Sequence, residues 1–120
     1  MAATPTHPEL NESEIAELRS QVSKKGMELN EKLTKLLAGK EIEIGDLDGL
    51  SIPTEKEDKR KKLKLYLDQV SFVLRRYNDG TFGHCLVTGR PIPRAILLES
   101  PWTLFHPDVP EDDRTFPPRP

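Results

Sequence analysis

The stretch that decides the fold is residues 63–77, LKLYLDQVSFVLRRY, because its apolar residues repeat with heptad spacing. They occupy one face of a helix: Leu63, Tyr66, Val70, Val73 and Tyr77, with Leu67 and Leu74 widening this face. A heptad seam is typical of a helix that packs along a second helix. Thr54 and Glu57 predict a capping box at the start of this helix, and Gly80 predicts its end. At roughly 26 residues and about 1.5 Å per residue, the helix would extend about 39 Å.

Another helix is predicted upstream, from Glu12 to about Ala38. Its apolar residues also recur at intervals of three and four, and they form one stripe: Ile15, Leu18, Val22, Leu29, Leu33 and Leu36. Asn11 and Glu14 predict a capping box at its start, and Gly39 is a natural stop. This stripe, like the downstream seam, needs an apolar partner that shields it from water.

The two stripes are expected to cover each other, because too few apolar residues remain elsewhere to bury both separately. The connection from Lys40 to Pro53 is short enough to fold the second helix antiparallel onto the first. The predicted fold is therefore mostly α, an antiparallel coiled-coil hairpin over residues 10–80 with its tip at residues 40–53. A monomer is expected, and a dimer that exchanges helices is the alternative.

Beyond the second helix the sequence predicts a small globular region at residues 81–109, which we call the knob. It contains turns and a short helix from Pro93 to Glu99. Its expected core is aromatic and aliphatic: Phe72, Phe82, Ile92, Ile96, Leu98 and Trp102. The prolines of residues 110–120 predict an extended, proline-rich tail, and the polar residues 1–9 predict a disordered N-terminus.

Composition argues against several classes of function. With 18 basic and 20 acidic residues the net charge is −2, so the chain has no cationic excess to coat nucleic acid or a membrane. Its single cysteine cannot form an internal disulfide, and no apolar run is long enough to span a bilayer. The absence of a Ser/His/Asp set, a Gly-rich phosphate loop and a complete metal motif argues against an enzyme and against a bound cofactor. We expect a soluble cytoplasmic protein.

The segment FGHCLVTGRPIP, residues 82–93, resembles the DksA/TraR family of transcription factors. Members of this family have a coiled-coil hairpin followed by a small globular region. The signature of that region is an aromatic-Gly-x-Cys-x2-Cys-Gly-x-Pro-Ile segment and, about seventeen residues later, a second Cys-x2-Cys pair. The resemblance covers residues 10 to about 109, and it implies the same arrangement of hairpin and knob.

The zinc-ligand positions of the family fall on Cys85, Thr88, His106 and Val109. A structural zinc needs four soft or imidazole ligands, which threonine and valine do not provide. Family members with Thr or Ser after the first Cys are zinc-free, so the resemblance implies a degenerate, zinc-finger-like knob that is zinc-independent. Cys85 is then interpreted as a buried thiol and His106 as a capping or surface residue. A weak metal site completed by outside ligands is the alternative.

The resemblance also implies binding to bacterial RNA polymerase and regulation of transcription. The hairpin would enter the secondary channel, where acidic residues at the tip act near the active centre and alter the lifetime of promoter complexes. We predict Asp46 and Asp48 for this role, because Gly45 and Gly49 bracket them in a turn. The alternative is that they are ordinary turn-forming aspartates.

A basic run, KEDKRKKLKL at residues 56–65, lies in the first turns of the second helix. Positive charge at that end opposes the helix dipole, so helix propensity does not explain it. Lys59, Arg60 and Lys62 are predicted to dock on acidic surfaces of the polymerase. A solvated helix face and contact with phosphates are the alternatives.

The alarmone ppGpp binds better-known members of the family through basic residues around the knob. The positions that align with them here are Gln69, Ser100 and Pro110, none of which is basic. This argues against enhancement by ppGpp through that route. Four nearby arginines are alternative contacts: Arg75, Arg76, Arg90 and Arg94.

Two other classes of function stay open at this stage. One is a nucleic-acid-binding remnant of a zinc ribbon that uses the same arginines and the lysine run, and it predicts salt-dependent binding to duplex DNA. The other is an interaction adaptor whose seam pairs with a helix of another protein, and it predicts an exposed seam or a dimer. The polymerase hypothesis predicts neither direct sequence-specific DNA binding nor membrane association.

Overall fold

The computed structural model describes residues 7–45, 47, 49–51 and 58–116. Within these residues the chain forms three α-helices: α1 (Glu12–Leu37), α2 (Lys59–Asp79) and α3 (Arg94–Glu99). A short 3-10 helix follows at Glu111–Asp113. The described part of the chain contains no β-strand, only an isolated antiparallel bridge between His84 and Pro91. The predicted mostly-α fold is confirmed.

The start of α1 is set by the predicted capping box. The Asn11 side chain accepts a hydrogen bond from the Glu14 N–H at 2.8 Å, and the Glu14 carboxylate accepts one from the Asn11 N–H at 3.3 Å. These two bonds satisfy backbone donors that have no partner within the helix. The helix ends at Leu37, and Gly39 follows with a φ of 85°.

α2 begins at Lys59, with Asp58 in an extended conformation as its N-cap, so it has 21 residues, and the predicted start after Thr54 with a length of roughly 26 residues is wrong. The Asp58 carboxylate accepts a hydrogen bond from the Lys61 N–H at 2.9 Å. The capping box predicted from Thr54 and Glu57 lies outside the described residues. The predicted stop is confirmed, because Gly80 has a φ of 78° and its N–H bonds to the Arg76 carbonyl.

The hairpin is held by the predicted apolar faces of α1 and α2. The five heptad positions of α2 are all buried, as are three stripe positions of α1: Leu18, Val22 and Leu29. The pairing is antiparallel, since Ala16 and Ser20 line a groove with Asn78, whereas Gly26 lies opposite Val70 further along. A Cβ on Gly26 would stand 3.5 Å from the Val70 side chain, so glycine lets the two helices approach closely here. The longest dimension of the molecule is 46 Å.

The knob has a dense apolar core around α3: Phe82, Ile92, Leu97, Leu104 and Phe105 are buried, and Ile96, Trp102 and Phe72 are partly buried. The prediction that Leu98 belongs to this core is wrong, because Leu98 is 42% exposed and Leu97 takes the buried place. Neighbouring residues on a helix point about 100° apart, so only one of the two leucines can face inward. The predicted end at Glu99 is confirmed, whereas the helix begins one residue after the predicted start, at Arg94, with Pro93 as its N-cap.

The end of α2 packs against the knob and is hydrogen-bonded to it. The Tyr77 ring stacks on Phe82, with centroids 4.6 Å apart and planes tilted by 8°. Its hydroxyl donates to the Pro101 carbonyl at 3.0 Å, and burial raises the pKa of this hydroxyl well above its ordinary range. Arg76 donates to the carbonyls of Thr81 and His84, which fixes the turn between helix and knob.

The residues before α1 also contact the knob. His7, which falls in the segment expected to be disordered, is buried, and its Nε2 lies 2.5 Å from the Ile92 carbonyl. Its Nδ1 accepts the Glu9 N–H at 3.1 Å, so Nε2 carries the proton and donates. Residues 1–6 lie outside the described residues. At the other terminus, Phe116 packs edge-on against Phe72 at 5.4 Å.

None of the helices in the described ranges combines the length and the apolar composition needed to cross a membrane.

Candidate functional site

After α1 the chain turns back and runs along α2 instead of projecting from the hairpin in its described part. We call the described residues of this segment, 42–45, 47 and 49–51, the strap. Near the start of α2, the Lys59 Nζ donates to the Ile42 carbonyl at 2.9 Å. About one turn further on, the Lys62 Nζ donates to the Ile44 carbonyl at 3.5 Å. The strap therefore runs in the same direction as α2, towards the knob.

Two further levels of contact continue this path. The Leu47 N–H donates to the Tyr66 hydroxyl at 3.5 Å. The Ser51 backbone pairs with the Gln69 side chain: the amide Oε1 accepts the Ser51 N–H at 2.7 Å, and Nε2 donates to the Ser51 carbonyl at 3.1 Å. The sequence gives no signal for this pair, because its members are 18 residues apart and no local pattern links them.

The strap ends against the knob. The Leu104 N–H donates to the Gly49 carbonyl at 3.0 Å. Gly49 has a φ of 80°, and a Cβ placed there would come within 2.5 Å of the Thr103 side chain. Only glycine fits this contact without displacing Thr103. Leu50 beside it is 1% exposed, so the end of the strap is part of the core.

The predicted tip residues Asp46 and Asp48 lie outside the described residues. Leu47, which stands between them in sequence, contacts Tyr66 in α2, and Gly49 contacts the knob. The described residues around the two aspartates thus lie along the hairpin, whereas the sequence had led us to expect a turn that projects both side chains. Their role near a polymerase active site stays a prediction.

The predicted docking residues do not share one environment. Lys59 and Lys62 bond to strap carbonyls, and Lys62 also lies 6.0 Å from the centroid of the Tyr66 ring. Arg60 is exposed. The structure therefore gives two members of the basic run an internal role that the sequence did not indicate.

The three positions aligned with ppGpp contacts are also distinct from one another. Gln69 has no exposed surface, and both polar atoms of its amide bond to the Ser51 backbone. Ser100 is buried, and its carbonyl accepts from the Thr103 hydroxyl at 2.6 Å. Pro110 is exposed.

The degenerate zinc knuckle keeps its turn and is centred on Cys85. The Cys85 N–H donates to the Arg90 carbonyl, and its sulfur accepts the Val87 N–H at 3.4 Å. Burial raises the pKa of the Cys85 thiol, but hydrogen bonds from the His106 N–H and from the Thr88 hydroxyl and N–H outweigh burial and hold this pKa below its ordinary value. The sulfur is thus solvated by backbone and hydroxyl donors.

The residues at the four ligand positions do not fit a structural zinc. Val109 is apolar and buried, and the Thr88 hydroxyl already bonds to the Cys85 sulfur. The His106 Nδ1 accepts the Asp108 N–H at 3.2 Å, which ties that ring nitrogen to its own turn. Among the described residues, no group of three or more His, Cys, Asp or Glu side chains is placed to hold a metal ion. The buried thiol interpretation of Cys85 agrees with this geometry.

Three of the four nearby arginines contact the chain itself: Arg76 donates to the carbonyls of Thr81 and His84, Arg90 contacts Asp108 at 3.5 Å, and Arg94 pairs with Glu14. Burial lowers the pKa of Arg76, which is consistent with its place beneath the knob. Arg75 is exposed. These contacts reduce the positive charge that a nucleic-acid surface in this region would offer.

An open groove of about 540 Å³ lies along the hairpin on the side of α1. Its lining combines polar, basic and apolar residues: Ala16, Arg19, Ser20, Ser23, Lys24, Met27, Leu74 and Asn78. Met27 is 66% exposed within it. The groove leaves the seam covered, because none of the heptad positions of α2 lines it.

No protein-family model matches this sequence, and no curated protein matches it. The solved structure of transcription factor DksA2 from Pseudomonas aeruginosa is similar to this chain, with 22% sequence identity and a TM-score of 0.57. The similarity covers 80% of this chain and 79% of the DksA2 chain. A likeness at this level of identity shows the fold, and it confirms the hairpin and knob that the sequence predicted. The chain therefore has a DksA-like coiled-coil hairpin fold.

Proposed function

We propose that this chain regulates bacterial transcription in the cytoplasm by binding RNA polymerase through its secondary channel. The observation that carries the proposal is the architecture: a two-helix hairpin stands on a compact knob, as in the DksA2 transcription factor. Function does not follow from fold alone, so the proposal depends on whether the hairpin suits the task.

The dimensions of the hairpin support this role. The 26 residues of α1 span about 39 Å at 1.5 Å per residue, which is long for a chain of 120 residues. Two paired helices form a narrow rod, and the covered seam keeps this rod stable without a further partner. A rigid rod of this kind can enter a deep channel, and the wider knob at its base limits how far it enters.

We assign the residues as follows. Asp46 and Asp48 act near the active centre of the polymerase, and Lys59, Arg60 and Lys62 dock on its acidic surfaces. The knob holds together without zinc, because burial of Phe82, Phe105 and their neighbours replaces the cohesion of a metal. Enhancement by ppGpp through the family's route is not expected, because Gln69 is enclosed and fully bonded to the strap.

A binding assay with purified bacterial RNA polymerase tests this proposal. We expect the wild type and a variant with Asp46→Asn and Asp48→Asn to bind alike, since the docking residues are unchanged. Only the wild type should alter the lifetime of promoter complexes. Asp68→Asn, which neutralises an exposed carboxylate in α2, is the matched control and should behave as the wild type. Lack of binding by the wild type, or tight salt-dependent binding to duplex DNA without polymerase, would overturn the proposal.

The zinc-independent knob is tested by restoring ligands. Chelation with EDTA should leave the melting temperature of the wild type unchanged. Thr88→Cys combined with Val109→Cys completes a Cys3His set with the native Cys85 and His106, so zinc should raise the melting temperature of this variant and EDTA should reverse the rise. A wild-type protein that purifies with one zinc per chain would contradict zinc independence.

A further inference from the structure

We propose that the strap is a latch that opens as a unit while the hairpin and knob stay folded, and that polymerase binds the open form. The second half of this inference rests on the proposed function. The first half concerns the free protein, and the contacts between the strap and α2 carry it.

Side chains of α2, not its backbone, hold the strap. Lys59 and Lys62 bind carbonyls of the strap, Tyr66 accepts a strap N–H, and Gln69 pairs with the Ser51 backbone. The backbone bonds of α2 run within the helix and do not depend on the strap. Release of the strap breaks these side-chain bonds and the backbone bond from Leu104 to Gly49, and it exposes Leu50, but it leaves the helical bonds of the hairpin intact.

Gln69 suits both states of such a latch. In the closed state it is completely buried, and a buried amide is costly unless its donor and acceptor are bonded. The Ser51 backbone supplies both bonds. In the open state water can replace both partners, whereas an apolar side chain at this position would be exposed. A polar residue at the centre of the contact thus lowers the cost of opening.

The apolar anchors of the strap are few compared with those of the hairpin. Ile42 and Leu50 are buried, whereas Ile44 and Leu47 are only partly buried. The seam between α1 and α2 includes Val22 and Val70, which contribute to the hairpin independently of the strap. Segments with few buried contacts open at lower free energy than the core that supports them.

Opening changes the surface that docking would use. In the closed form Lys59 and Lys62 are bonded to the carbonyls of Ile42 and Ile44. Once the strap leaves, these ammonium groups are available for carboxylates of the polymerase. A partner that needs these two groups binds the open form better, and its apparent affinity falls with the fraction of closed molecules.

Amide hydrogen exchange on the free protein tests the latch. The Ser51 N–H bonds to Gln69 and the Leu104 N–H bonds to Gly49, so both amides report strap opening. The Val73 amide in the middle of α2 reports global unfolding. In the wild type we expect the Ser51 and Leu104 amides to have similar protection factors, both lower than that of the Val73 amide. Exchange of all three amides only at the global rate would overturn the latch.

Gly49→Ala should favour the open state, because its Cβ would come within 2.5 Å of Thr103. Exchange at Ser51 and Leu104 should rise about tenfold or more, with Val73 unchanged. Gly45→Ala is the matched control within the strap, and Gly39→Ala, with a φ of 85°, is the control for backbone strain outside it. A Cβ at either control position meets nothing within 4 Å, so neither should change exchange at Ser51 or Leu104. A parallel rise at Val73 in the Gly49 variant would contradict independent opening.

Gln69→Ala provides a second route to the open state if the Gly49 variant does not fold, since it removes both bonds to Ser51. Because the Ser51 N–H then lacks its own acceptor, Leu104 is the reporter in this variant, and its exchange should rise with Val73 unchanged. The apparent dissociation constants for polymerase are then measured for the wild type and for the opened variant. We expect tighter binding of the opened variant by several fold, and equal binding would overturn selection of the open form. If the wild type does not bind at all, the proposed function fails, while the exchange data still decide whether the latch exists.

Discussion

The strap and the knob are two irregular regions attached to the same hairpin, and they are held in different ways. The knob buries a cluster of large apolar side chains and links its turns by backbone bonds, such as Ile92 N–H to the Gly83 carbonyl at 2.8 Å. The strap offers two buried apolar side chains, Ile42 and Leu50, and its bonds to α2 come from side chains of the helix.

Two irregular segments on the same hairpin can therefore differ in whether they detach, depending on the kind of contact that holds each of them. The apolar contacts in the knob core are lost together when the knob opens, so the knob should unfold together with the hairpin. Side-chain bonds to backbone are exchanged for bonds to water at a small net cost, so the strap should detach alone.

Phe105→Ala should have the largest effect on stability. Phe105 is 1% exposed in the knob, and its removal leaves a cavity that costs about 3–5 kcal/mol. Urea denaturation followed by circular dichroism measures the loss. Leu98→Ala is the control in the same region and should stay within about 0.5 kcal/mol, since Leu98 is largely exposed. A loss under about 1 kcal/mol for Phe105→Ala would mean that the knob does not unfold with the hairpin.

Leu50→Ala compares the strap with the hairpin by the same chemical change. Leu50 is 1% exposed and Leu29, on the α1 stripe, is 3% exposed. Leu29→Ala should lower the free energy of unfolding by about 2–5 kcal/mol. Leu50→Ala should lower it by less than about 2 kcal/mol, because once the strap has opened its side chains no longer contribute to the stability of the hairpin. Equal losses in denaturation would show that strap and hairpin form one cooperative unit.

Cys85→Ala tests the cohesion of the turn around the Cys85 sulfur. The change removes the acceptor of several N–H donors and of the Thr88 hydroxyl, which should cost about 1–2 kcal/mol. Because the folded protein lowers the pKa of this thiol, the wild type gains stability over the variant as pH rises through about 8 to 9. Thermal melts at several pH values measure this difference. Thr88→Val removes one donor to the sulfur and the acceptor of the Arg90 N–H, and a loss as large as that of Cys85→Ala would contradict the central place of the sulfur.

Glu14→Gln should have the smallest effect. The Arg94 side chain and the Asn11 N–H bond to the Glu14 carboxylate and lower its pKa. A lowered pKa adds stability above the ordinary pKa of a glutamate and loses it as pH falls through the folded value. The melting temperatures of wild type and variant should therefore converge below about pH 4. Glu12→Gln, at the same helix start, should show a smaller difference at neutral pH, and an equal one would exclude a specific contribution of Arg94.

Much of the hairpin and part of the knob followed from local signals. The heptad positions from Leu63 to Tyr77 and the capping box of Asn11 and Glu14 are confirmed, because periodicity and capping act within a few residues. The wrong prediction at Leu98 arises because burial there depends on tertiary packing and not on a local signal. Both leucines of α3 are apolar, and only the position of α3 on the knob decides which one is buried.

Three features depend on contacts between distant residues and left no local signal. His7 bonds to Ile92, 85 residues away, although the segment around it is short and polar. The thiol of Cys85 is surrounded by donors from two turns that meet only in the folded chain. The strap resembles a simple turn in sequence, because glycines and acidic residues dominate it.

The apolar periodicity of the sequence is enough to predict two helices that pair, since an apolar stripe on a helix must be covered in water. The resemblance of residues 82–93 to the DksA/TraR family implies that Thr88 and Val109 stand at zinc-ligand positions without being ligands. The path of residues 42–45, 47 and 49–51 depends on tertiary contacts. Their backbone groups need partners, and these partners are side chains of α2 that come within reach only after the hairpin has formed.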